Sequence, residues 1–156
     1  CFSKALGAPI GSAVSGSAAQ IEAAREMRAV FGGATRQVGI LAAGALHALQ
    51  HHRARLPEDH ARARRLAAAI AEIPGLRIDP SRVETNIVIA QLEGGAAALP
   101  RFLGLLEAEG VRVLDFGGPG CFRAVPHLDI DDPAIDRAVA AMRRASAAVH
   151  GSQVPG

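Results

Sequence analysis

The sequence has no tryptophan and no tyrosine, which leaves five phenylalanines to supply benzene-type rings. A base-stacking platform for single-stranded nucleic acid therefore has little to be built from. Cysteine is nearly as scarce. Cys1 and Cys121 stand far apart, in no zinc-ligand spacing and no disulfide framework, as expected of a cytoplasmic protein with reduced thiols. No apolar run approaches the roughly 20 residues that a membrane-spanning helix needs. The net charge is only +2 and the two signs are interspersed, so no strong field draws the chain to nucleic acid or to a membrane surface. Glycine patterns that cradle phosphates, GxGxxG and the P-loop, are also absent; the F-G-G-P-G run at 116–120 has the composition of a flexible loop.

The sharpest scarcity is lysine. Of the seventeen basic residues one is a lysine, Lys4, and the rest are arginines. Heavy use of Ala, Gly, Arg and Pro points to a coding bias that puts arginine wherever positive charge alone is needed. A lysine kept against that bias can be there for its amine, since an amine forms a Schiff base and a guanidinium does so poorly. On composition alone, a leftover lysine without a chemical role remains the stronger of the two readings.

What is present suits one soluble globular domain: 156 residues, 49% of them hydrophobic and 21% charged, can bury a core. Residues 5–13, punctuated by Gly7, Pro9 and Gly11, form a turn-rich segment expected to lead into a short buried strand. Ser17 and Gln20 have capping-box spacing and open a helix carrying Ile21, Ala24, Met27 and Val30, ended by Gly32 and Gly33. Thr35 is placed to cap a long second helix reaching about Arg53, whose first half is apolar nearly all round and so predicts burial between two layers. A third helix begins past Pro57, with Glu58 and Asp59 in its first turn, and stops at Pro74 and Gly75. Strands are expected at Leu76–Ile78, Asn86–Leu92, Val111–Leu114 and Cys121–Val125, with a helix from about Leu99 to Glu109 between the second and third. A last helix runs from Asp132 to about Val149. The predicted fold class is α/β, with an α+β small domain whose helices pack on one face of a small, mainly antiparallel sheet. Residues 1–38 are expected to be the tail of a larger domain, 39–150 a linking helix and the small domain, and 151–156 a frayed tail. The opening at Cys1, in the middle of an apolar pattern and without a basic leader, suggests the continuation of a longer chain and not a signal peptide.

The segment C-F-S-K-A-L-G-A-P-I-G-S sets Lys4 behind an apolar stretch and before a small-residue turn, which gives an amine rigid support and leaves room for a bulky ring. It resembles the pyridoxal-phosphate lysine segment of the low-specificity L-threonine aldolases, usually S-K-G-L-G-A-P-V-G-S. The pieces at 31–44, 56–67, 85–88 and 122–129 resemble the same family in the same order, F-G-G-A-T-R-Q-V-G-I-L-A-A-G and F-R-A-V-P-H-L-D among them. The resemblance covers Cys1 to about Ala148 and is identified as that of a C-terminal part of a fold-type I, pyridoxal-phosphate-dependent transferase-like enzyme. It implies retro-aldol cleavage of L-threonine, L-allo-threonine and related β-hydroxy amino acids to glycine and an aldehyde, in a cytoplasmic homotetramer with sites at subunit interfaces. Lys4 is then the Schiff-base residue and the catalytic one, with Ser3 and Arg36 as further cofactor-binding residues and Arg123 as the substrate-carboxylate residue. No metal is implied.

Each assignment has a plainer competitor. Arg123 matches the family arginine of R-x-V-T-H, whose planar fork suits a carboxylate; an isolated strand arginine would more often be one half of a surface ion pair. Pro126 stands where the family has threonine, which puts the local bonding of His127 in doubt, and His127 itself fits a structural role better than a catalytic one. Arg36 matches the arginine of G-G-G-M-R-Q, with Ala34 in place of a glycine; the family lysine seven residues earlier is replaced by Ala29, with Arg28 nearby to supply charge. A structural arginine at a helix start is its competitor. His47 and His51 have i,i+4 spacing, but with His52 and His60 they converge with no carboxylate or cysteine, so a metal site is disfavoured. Arginines 53, 55, 62, 64 and 65 are expected to be a solvated helix face. The carboxylate for the cofactor ring nitrogen and most phosphate contacts are not in this sequence, so the chain by itself is expected to be inactive and to hold the cofactor poorly. The competing functions are another fold-type I enzyme, β-eliminating or aminotransferase-like, and a non-catalytic helical interaction module.

Overall fold

A computed structural model of the chain describes residues 1–151. Of the tail expected at 151–156, all but Gly151 lies outside the described residues. The chain divides into two compact units, Cys1–Leu56 and Pro57–Gly156.

The first unit holds helices α1 (Ala18–Val30) and α2 (Val38–His51) and a 3-10 turn at Arg53–Arg55. The expected capping box is present. Gln20 N–H reaches Ser17 Oγ at 3.4 Å and Ser17 N–H donates to Gln20 Oε1 at 2.9 Å, so two helix-end donors are satisfied reciprocally. Three expectations fail here. Residues 9–16 form no strand, because the segment closes on itself: Phe2 N–H donates to Gly11 O at 2.8 Å and no neighbouring strand is offered. Thr35 does not cap α2; the N-cap is Gln37, in the left-handed region at φ 53° and with no side-chain cap bond. Nor is the apolar first half of α2 sandwiched. Ile40 is 77% exposed and Ala48 is its one buried residue, since a unit of two helices cannot cover every side of the second.

The second unit contains α3 from Pro57 onward (Leu56–Ala71), α4 (Gly95–Ala108) and α5 (Asp132–His150), with strands β1 (Leu76–Arg77), β2 (Val88–Leu92), β3 (Leu114–Asp115) and β4 (Cys121–Ala124). The strands make one antiparallel sheet in the order β1-β2-β4-β3. Alternation decides its faces. Val88, Ala90, Leu92, Phe122 and Ala124 are buried, while Ile89 and Gln91 between them are exposed. The buried face joins Leu66, Ile70, Leu99, Phe102, Leu106, Ile135 and Met142 from the three helices in one core, with the Phe102 and Phe122 rings 5.2 Å apart. Helices on one face of an antiparallel sheet is thus the architecture found, as predicted.

Boundaries differ where tertiary structure overrides local signals. α4 starts at Gly95, earlier than expected, because the alanine-rich run before Leu99 is itself helical and Pro100 is accommodated within it. The third strand is shifted to Leu114–Asp115 by its pairing with β4; Val111 and Val113 pack against the core without joining the ladder. Gly120 makes the turn into β4 possible: at φ 75°, a Cβ there would lie 2.5 Å from Leu92 O. Two members of the arginine run are tied to α5. Arg62 lies 3.0 Å from Asp132, and Arg65 pairs with both Asp132 and Asp136.

Candidate functional site

Lys4 sits in a short turn closed by Gly7 N–H donating to Lys4 O at 2.8 Å. A second bond, Ala8 N–H to Phe2 O at 2.9 Å, and the Phe2–Gly11 bond draw residues 2–11 into a compact loop. Ala8 is buried beneath it, whereas Ser3 and Lys4 are exposed at its rim. The loop is braced from α2. His52 Nδ1 lies 2.7 Å from Leu6 O. Gly44 lets the helix backbone come close, for a Cβ there would be 3.2 Å from Pro9 Cδ. A primary amine on a rigid, small-residue loop open to solvent can be reached by an aldehyde-bearing ring.

Arg36 stands in the turn immediately before α2, exposed and with no ion pair among the described residues. Next to it, Gln37 is the one non-glycine residue at positive φ among those described, a conformation that costs about 1 kcal/mol and marks a constrained turn. The histidines form a ring cluster: His47 and His51 are 4.3 Å apart between centroids, and His47 meets His52 edge-on at 5.3 Å. Among the described residues no group of three or more His, Cys, Asp or Glu is arranged to hold a metal ion.

In the second unit, Arg123 lies on the open face of the sheet because its neighbours Phe122 and Ala124 point into the core. Cross-strand pairing puts it directly between Ile89 on β2 and Leu114 on β3. Its guanidinium carbon sits 5.7 Å from the centre of the Phe116 ring. Its Nε is buried and has no hydrogen-bond partner. No carboxylate of the described residues pairs with it, although Arg62, Arg65, Arg77, Arg112 and Arg144 in the same unit all have one. A half-buried guanidinium with an unmet donor and apolar flanks is prepared to receive an anion, and a carboxylate matches its fork.

His127 is exposed, with Nδ1 3.7 Å from Asp129 Oδ2. Pro126, in the place of the family threonine, instead uses its carbonyl, which accepts from Asn86 Nδ2 at 2.9 Å and ties the T-N-I-V segment to the loop after β4. That role of Asn86 was missed from the sequence, where the segment signalled a strand and a family resemblance but no partner for the amide. A recess of about 300 Å³ lined by Val111, Val113, Ile135 and Met142 contains none of the candidate residues, so the site does not coincide with it. Ser3, Lys4 and Arg36 belong to the first unit and Arg123 to the second.

A profile of the beta-eliminating lyase family matches residues 1–93. The chain is 38% identical over 131 residues to low-specificity L-threonine aldolase 1 of Arabidopsis thaliana, covering 83% of this chain and 36% of that protein. It is 37% identical over 131 residues to the low specificity L-threonine aldolase of Escherichia coli K12, covering 83% of this chain and 37% of that one. A crystal structure from Exiguobacterium sp. 255-15, described as an aromatic amino acid beta-eliminating lyase/threonine aldolase, superposes with a TM-score of 0.71 at 23% identity, over 92% of this chain and 43% of that one. The chain therefore spans a little over a third of the length of the curated relatives it matches.

Proposed function

Because the chain belongs to the beta-eliminating lyase family, we propose that it is the part of a pyridoxal-phosphate-dependent aldehyde-lyase that anchors the cofactor and grips the substrate carboxylate. The reaction is cleavage of L-threonine, L-allo-threonine and related β-hydroxy amino acids to glycine and an aldehyde. The observation that carries the reading is the buried, partnerless Nε of Arg123 on an apolar sheet face. Leaving a buried donor unmet costs about 1–3 kcal/mol, so the fold holds this guanidinium at a cost that packing alone does not explain. The names of the Arabidopsis and Escherichia coli relatives supply the substrate class.

The residues present fit the cofactor. The Lys4 amine is exposed on a braced loop and can bond covalently to it; the Ser3 hydroxyl beside that amine and the Arg36 guanidinium are a donor and a cation suited to a phosphate. Pyridoxal phosphate, when bound, supplies the electron sink that lets a Cα–Cβ bond break. Arg123 contributes orientation: two parallel N–H bonds hold the amino acid by its carboxylate and thereby fix which bond at Cα faces the reacting system. Ile89, Leu114 and Phe116 around it lower the local polarity and strengthen that grip.

No helix among the described residues is long and apolar enough to cross a membrane. The reading assigns the enzyme to the cytoplasm as a homotetramer. The test is to load the full-length protein with pyridoxal phosphate, reduce with borohydride and map the peptides. The label should fall on Lys4, and threonine should yield glycine and acetaldehyde in equal amounts. Label elsewhere would end the reading. Keto acid and ammonia as products would instead assign the chain to the β-eliminating side of its family.

A further inference from the structure

We propose that His52 is a positioning residue for Lys4, acting through the carbonyl of Leu6; the inference rests on the assignment of Lys4 as the cofactor-binding lysine. Leu6 O can only accept, so the 2.7 Å contact requires a hydrogen on His52 Nδ1 and makes the imidazole the donor. The bond spans 46 residues of sequence and lands inside the four-residue turn that carries Lys4.

The donor is itself held in place. His52 is the C-cap of α2, its backbone N–H bonded to Ala48 O at 2.9 Å, and its ring meets the His47 ring edge-on. Eight residues earlier on the same helix, Gly44 supports Pro9 by close approach. The lysine loop is thus fixed to one rigid element at two points, one on either side of Gly7. Remove the hydrogen bond and the loop keeps its close approach at Pro9 and the burial of Ala8, but the turn of residues 4–7 loses its polar tie to the end of α2 and is freer to swing. A covalent amine must stay within bonding range of its partner, so such a swing lowers the population of competent loop and with it the apparent affinity for the cofactor. Nothing in the sequence pointed to this role, since His52 stood there only as a neighbour of a histidine pair.

The test uses a match of atoms. In His, Nδ1 is bonded to Cγ; asparagine carries Nδ2–H at the same place, and leucine carries a methyl there. His52→Asn therefore keeps a donor where His52→Leu has none, and His52→Met is a second apolar variant should the leucine protein fail to fold. Each full-length variant is titrated with pyridoxal phosphate, following the visible absorbance of the lysine-bound cofactor and the rate of borohydride labelling at Lys4. We expect the apolar variant to need roughly fivefold more cofactor, the size of one net hydrogen bond, and the asparagine variant to stay within about twofold of wild type. Equal affinity in all of them, or equal loss in the asparagine and apolar variants, overturns the role of His52. Lys4→Ala separates the two ideas: if it retains the absorbance and the label, the assignment of Lys4 falls, whereas normal loss in Lys4→Ala with no effect of the apolar variants refutes His52 alone.

Discussion

If Arg123 grips the substrate carboxylate as proposed, replacing it with methionine should make the full-length protein harder to unfold and nearly useless as an enzyme. The native guanidinium keeps a buried Nε without a partner, at a cost of about 1–3 kcal/mol. Its position over the Phe116 ring returns some of that, about 0.5–1 kcal/mol for a partly exposed cation. Methionine removes the orphaned donor, keeps an unbranched apolar stem between Ile89 and Leu114, and leaves a sulfur that can touch the same ring. The net expectation is a gain of roughly 0–2 kcal/mol, each kcal/mol being about 4–8 °C for a domain of the second unit's size. On the functional side, two charge-assisted bonds to a substrate carboxylate are lost at about 1.5 kcal/mol or more each, so kcat/KM should fall at least about a hundredfold. Arg123→Lys keeps the charge without the fork and should fall between. Far-UV circular dichroism can follow the melting, since these 156 residues carry neither tryptophan nor tyrosine to report on them by fluorescence. A methionine variant that melts several degrees lower would show that Arg123 is a structural residue. Unchanged kcat/KM for threonine would remove it from the substrate site.

Two further predictions concern the scaffold. Gly120→Ala should cost about 2 kcal/mol or more in urea unfolding, because its Cβ would be driven onto Leu92 O, while Gly117→Ala, also at positive φ but with nothing within 4 Å, should lose only the backbone part of that; equal losses would refute the steric account. Glu109 is held below the usual carboxylate range by its hydrogen bond from Arg144 and then by the arginine's charge. A lowered folded pKa gives stability that is present above the unfolded value of about 4.3 and fades as pH falls through the folded one, so melting temperatures of wild type and Glu109→Gln should differ at neutral pH and converge on acidification. A gap that stays the same size from neutral pH to below the folded pKa would show the pair to be electrostatically idle.

Signals confined to one turn of chain were legible in the sequence. Ser17 and Gln20 cap α1 as their spacing demands, α5 begins at Asp132 ahead of Pro133, and the alternation of β2 and β4 sets one face of the sheet inward. What escaped depends on partners distant in sequence. Asp59 looked like a charge placed for the helix dipole, yet it is fully buried near Arg62. The third strand's register is chosen by β4, and no property of residues 111–115 alone announces it. His52 and Asn86 act on carbonyls 46 and 40 residues away, and a backbone acceptor leaves no mark in the side-chain alphabet.

Arg123 shows both sides of this boundary in one residue. The two-residue period of F-R-A, with Phe122 and Ala124 buried, already puts it on the open face. Position alone does not separate it from the other arginines, for the chain uses arginine as its ordinary cation and five of those in the second unit meet a carboxylate. Arg62 and Arg65 tie α3 to α5, Arg77 meets Glu93, Arg112 meets Glu107 and Arg144 meets Glu109. With acidic side chains plentiful and pairing common, an arginine whose buried Nε is left unmatched is not accounted for by the needs of the fold. A plain ion pair was the chief competitor for this residue, and no carboxylate among the described residues supplies its partner. On the proposed function, the complement of that donor is the carboxylate of the substrate.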